Sequence, residues 1–164
     1  MGLQIIGAAA LLGLGVFAWL LHRETSEHVN AAGKSDVLFV LNSGDIRTDQ
    51  DIKVIGSYRS PHSFTGDHLD SFCIQISKFE LSNGTEKYWS ERPEADPVLV
   101  NALELGVNDA HDHASCFPTF AGVNSDAIKV RFLSVVVHDR QATAADIILY
   151  APKTKMLYYL SFKT

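Results

Sequence analysis

The sequence predicts an α+β fold, with an N-terminal transmembrane helix followed by an antiparallel sheet of about five or six strands and one packed helix. Three observations carry this. Residues 3–21 are apolar with one polar interruption, Gln4, and no charge. A helical segment opens at Asp96-Pro97, a good N-cap followed by the residue best tolerated at the first helical position. Residues 128–163 read as three strands joined by short links.

A helix over residues 3–21 covers about 28 Å, close to the thickness of a bilayer's hydrocarbon core. The chain has no basic start and no small-residue pair just after Leu21, so the segment reads as a retained anchor rather than a cleaved signal. Trp19 and Arg23 stand where interfacial residues belong. Gly7, Gly13 and Gly15 with Ala8, Ala9 and Ala10 make a small-residue face, read here as filler. Ile6 occupies the position where a myristoylation signal needs Ser or Thr. The resulting division is a transmembrane anchor at 1–21, a polar juxtamembrane linker at 22–36 and a single α+β domain at 37–164.

Arg23 and Lys34 follow the span, which taken literally places the domain in the cytoplasm. Glu24 and Glu27 are interleaved with them, so the bias is thin, and an exported domain behind an N-terminal anchor is the expectation. The net charge of −5 lies wholly outside the span, with Lys and Arg scattered. That excludes a nucleic-acid footprint, and an acidic domain is expected to stand off an anionic leaflet.

Within the domain, the apolar run 37–41 is short and reads as a strand, and residues 51–58 alternate as a second. Residues 59–71, with Pro61 and Gly66, form a loop. Residues 72–82 and 85–91 flank Asn83-Gly84, the signature of a type I′ hairpin. Asn83-Gly84-Thr85 also spells a glycosylation acceptor, but a tight turn explains the same residues. The helix from Asp96 ends at Gly106, and residues 106–127 form a long irregular connection. Strands at 128–138, 145–151 and 155–163 complete the sheet. Tyr158 and Tyr159 are adjacent, so one should point out of the core. The last strand, if it forms an edge, can accept a partner strand.

Candidate chemistry concentrates in two polar loops. His111 and His113, two apart, face the same way if extended, and Asp109, Asp112 and Cys116 add ligand types that suit zinc or copper. His62, Asp67, His68 and Asp70 precede Cys73 and form a second, ligand-binding candidate. Cys73 and Cys116 are either one disulfide or two free thiols, depending on compartment. A bridge between them draws both histidine loops to one end of the domain. Cys116 with a histidine and Asp109 also contains the residue types of a thiol enzyme. Gly33-Lys34-Ser35 is not a phosphate loop, since His28 stands where the motif needs its first glycine.

The functional expectation is a membrane-anchored, non-enzymatic domain that binds another protein, as an accessory or assembly factor of an envelope complex. The alternatives are an extracytoplasmic domain binding a metal or small ligand through the histidine loops, and a Cys/His-dependent enzyme.

Overall fold

The computed structural model describes residues 32–48, 52–61, 63–90, 95–125 and 128–164. The apolar segment 1–21 and linker residues 22–31 lie outside them. No helix among the described residues is long and apolar enough to cross a membrane. The domain is α+β, built on an antiparallel sheet of five strands with one main helix.

The first element is helix α1 (Lys34–Ser43), where the apolar run 37–41 reads as a strand from sequence. Polar residues at both ends extend the run to helical length. The Gly33 amide donates to the Asp36 carboxylate at 2.7 Å, and Gly44 closes the other end on the Val40 carbonyl at 2.9 Å. Val37, Val40 and Leu41 then fall on one face and are buried, leaving Leu38 and Phe39 outside. Strand β1 (Ile46–Arg47) follows, then β2 (Ile52–Arg59) and β3 (His68–Ile76).

The expected hairpin at Asn83-Gly84 does not form. β3 ends at Ile76 and pairs with β2 and with the last strand. The short β4 (Glu80–Leu81) pairs with β1, and residues Glu86–Tyr88 make a 3₁₀ turn. Gly84 alone is left-handed (φ +82°) and the Thr85 amide closes on Ser82 at 3.1 Å, the one-glycine requirement of a type II turn rather than type I′.

Helix α2 (Pro97–His113) begins as expected, with the Asp96 carboxylate accepting from the Val98 amide at 2.9 Å. It does not stop at Gly106. A β-carbon there would lie 2.6 Å from Leu160 Cδ1 and 3.0 Å from the Phe162 ring, so this glycine allows the helix to lie close against the sheet. The expected irregular connection is therefore largely helical: the end of α2, a short loop and α3 (Phe120–Ser125).

Strands β5 (Lys129–His138), β6 (Gln141–Ala151) and β7 (Met156–Lys163) form the expected meander. Sheet order is β2-β3-β7-β6-β5, so the last strand is central and offers no edge. The edges are β2 and β5, and both carry register shifts that interrupt regular pairing. Both sheet faces are covered. α2 packs over Cys73, Ile147, Leu149, Leu160 and Phe162; α1 packs over Phe72, Ile74, Ile148, Leu157 and Tyr159. Tyr158 (7% exposed) and Tyr159 (6%) are consequently both buried, one on each face.

Candidate functional site

Cys73 sits at the centre of β3, fully buried, and Cys116 follows the end of α2. Their Cα atoms are 6.3 Å apart and their sulfurs are bonded, which joins the middle of the sheet to the loop after the helix. Gly56 on β2 makes room: a β-carbon there would stand 2.7 Å from Cys116 Sγ. With its sulfur in the bridge, Cys116 supplies neither a thiolate nucleophile nor a metal-ligating thiolate.

The helical conformation also separates the two histidines that an extended loop would align. Two residues apart on a helix, side chains diverge by about 200°. His111 turns to the Phe117 carbonyl, to which Nδ1 donates at 2.7 Å. His113 Nδ1 donates to the Asp109 carbonyl one turn back at 2.9 Å, and its ring lies on Tyr58 with centroids 4.5 Å apart. Among the described residues, no three or more His, Cys, Asp or Glu side chains are grouped to hold a metal, so the set Asp109, His111, His113 and Cys116 is not assembled for zinc or copper.

The two polar regions do meet, through part of each set: Asp67 and His68 from one, Asp109 and His113 from the other. A cleft of about 330 Å³ at one end of the sheet is lined by Tyr58, Asp67, His68, Asp109, His113 and Lys163, among others. His62 lies outside the described residues. His68 Nδ1 is 2.9 Å from the Gly66 carbonyl, which can only accept, so Nδ1 carries the proton. Its Nε2 lies within hydrogen-bonding distance of Ser161 Oγ, at 3.1 Å. A hydroxyl bonded to an imidazole is half of a nucleophile–base pair. Ser161 is buried within the sheet, however, and the contact holds the His68 ring against the central strand. The Asp67 carboxyl is held below the usual range, chiefly by the Thr65 hydroxyl, with Ser63, Lys163 and His68 adding to it. Nothing in the sequence marked Ser161 as part of this end; it reads as an ordinary strand residue.

A second, apolar cavity lies on the α1 side. It measures about 280 Å³ and is lined by Ala32, Gly33, Lys34, Val37, Leu38, Ile52 and Val54. Leu38, Phe39 and Ile55 are each about half exposed along α1 and β2. The Phe39 ring is held edge-on to Tyr159 at 5.8 Å. The Ala32 amide donates to Ser57 Oγ at 2.9 Å, and Arg59 pairs with Asp36 at 2.6 Å while lying over the Phe72 ring. Burial opposes ionisation of Asp36, but the Gly33 amide and Arg59 outweigh it and depress its carboxyl below the usual range. On the same face, Tyr159 donates to Asp146, and burial pushes its phenol upward, so it stays a neutral donor.

Comparison with known proteins returns no match to a family model, a curated protein or a solved structure.

Proposed function

We propose that this chain is a membrane-tethered, non-enzymatic domain that uses the α1–β2 face to bind a neighbouring membrane-held protein, as an accessory or assembly factor of an envelope complex. The observation that carries this reading is the apolar cavity lined by Val37, Leu38, Ile52 and Val54, with Leu38 about half exposed. At about 280 Å³ it falls just below the range of small-molecule sites and suits one or two aliphatic or aromatic side chains. The ten residues 22–31 span at most about 35 Å when fully extended, which keeps this face near the bilayer if residues 3–21 are its anchor. The fitting occupant is therefore an apolar juxtamembrane segment of a protein in the same membrane. A cysteine pair at bonding distance supports an oxidising, extracytoplasmic compartment.

The test is gentle detergent extraction of the full chain, followed by affinity purification of wild type, Leu38→Asp and Tyr88→Asp. A stoichiometric membrane protein retained by wild type and Tyr88→Asp but lost from Leu38→Asp is expected. A monodisperse monomer, or a partner indifferent to Leu38→Asp, refutes the reading.

A second reading is favoured by one observation, the convergence of His68, His113, Asp67 and Lys163 on one cleft. In that reading the cleft takes a small polar ligand, and a ligand-induced rise in melting temperature disappears in His113→Ala.

A further inference from the structure

Two hairpins project from the same end of the sheet, and each carries apolar side chains that contribute nothing to either core. The pairing register establishes the common end. His68 on β3 pairs with Lys163 on β7, Lys163 with Ala144 on β6, and Ala144 with Val136 on β5. The connection between β2 and β3 and the turn between β5 and β6 both lie beyond this row. The first presents Phe64, fully exposed at 107%; the second is flanked by Val136 (56%) and Val137 (48%). Three strand spacings separate β3 from β5, so the two projections stand about 14 Å apart.

Phe64 is displayed by an organised turn. The Gly66 amide closes on Ser63 at 2.9 Å, the Ser63 amide on Asp67 at 3.0 Å, and the Asp67 amide on Ser63 Oγ at 2.8 Å. Thr65 donates to Asp67, and Lys163 Nζ reaches the Thr65 carbonyl at 2.8 Å, tying the turn to the central strand. A phenylalanine held outward in this way faces water unless something covers it.

We propose that this end of the domain rests on the bilayer surface, with Phe64 at one tip and Val136–Val137 at the other inserted at the headgroup–acyl boundary. The inference rests on the tether reading above. Two apolar tips separated by polar groups fit a plane better than a single protein pocket. Lys163 and Arg140 stand beside them and offset Asp67 and Asp139, so this end can dock although the domain as a whole is acidic. Ala32 is fixed on Ser57, opposite Phe72, about 13 Å of strand rise from the end row. A linker of ten residues reaching up to about 35 Å can therefore bring this end to the membrane that holds the anchor. Tethering supplies the high local concentration that lets so few apolar side chains suffice. Docked in this way, the domain presents its α1–β2 face sideways, along the membrane plane.

The test places the photoreactive residue p-benzoyl-phenylalanine at Phe64, Val137 or, at the opposite end, Thr154, in the full chain reconstituted into phosphatidylethanolamine–phosphatidylglycerol vesicles. After irradiation, acyl-chain adducts are counted by mass spectrometry and the vesicles are washed with carbonate. Lipid adducts at 64 and 137 at least tenfold above those at 154 are expected. A chain that survives the wash but shows no such excess overturns the docking and leaves the tether standing. A chain removed by the wash overturns both. Irradiation in native membranes that yields a discrete protein adduct, or a cross-linked second copy, at position 64 also overturns the proposal, because that end is then a protein interface.

Discussion

Replacing Gly106 tests the most informative packing contact in the domain. A valine at this position gains a few tenths of a kcal/mol in helix propensity over glycine. Against this, its β-carbon alone meets Leu160 Cδ1 at 2.6 Å and two Phe162 ring carbons at 3.0 Å, and both neighbours are almost fully buried. Overpacking of this kind costs about 1–3 kcal/mol, and the two γ-methyls of valine add to it. The expected net loss is about 2 kcal/mol, a fall in melting temperature of about 6–10 °C for a domain of this size. The assay is thermal unfolding of the full chain in detergent, followed by circular dichroism. Leu160→Ala provides the control: it costs about 2–5 kcal/mol alone, but it vacates the space the valine needs. The double variant should therefore lose at least 1 kcal/mol less than the sum of the singles. Gly106→Val that is neutral or stabilising, or strict additivity with Leu160→Ala, refutes the packing of α2 on β7.

Reducing the Cys73–Cys116 bridge frees a loop of 43 residues and should cost about 4 kcal/mol by loop-closure entropy, read as a lower urea midpoint with dithiothreitol; an unchanged midpoint contradicts it. Gly56→Ala should destabilise the bridged protein by about 1–3 kcal/mol through its contact with Cys116 Sγ, and much less in a Cys73→Ala/Cys116→Ala background. Asp36 and Asp67 have folded carboxyl pKa values below the unfolded value of 3.8. Their stabilisation is therefore present above about pH 4 and lost as pH falls through the folded values; urea midpoints measured from pH 6 to pH 2.5 should drop in that window, and less steeply in Asp36→Asn. Asp96→Ala should remove about 1 kcal/mol through the lost Val98 cap, checked by the same melts.

Local chemistry alone was enough for several elements. The Asp96-Pro97 helix start, strand β2 and the C-terminal meander were legible because caps and alternation act within a few residues. Asn83-Gly84 was legible as a turn, but the strands it joins were not, because pairing depends on residues far along the chain. A short apolar run such as 37–41 satisfies strand and helix periodicity alike; the packing of Val37, Val40 and Leu41 on the sheet selects the helix. Gly106 carries the same residue signal as a helix stop, and only Leu160 and Phe162 opposite it show a close approach.

The candidate sites divide along the same line. Two cysteines and two histidine-bearing regions were visible in the sequence, and so was the consequence of linking them. Which histidines share a cleft was decided by conformation: continuation of α2 to His113 sends His111 to Phe117 and leaves His113 on Tyr58, lining the same cleft as His68. The polar partner Ser161 and the α1–β2 cavity arise from β7 being central and both sheet faces being covered. Composition, caps and strand alternation are local properties, and the sequence by itself determined them. Register, layering and the gathering of distant side chains are settled by the free energy of burying whole surfaces together, which the tertiary structure decided.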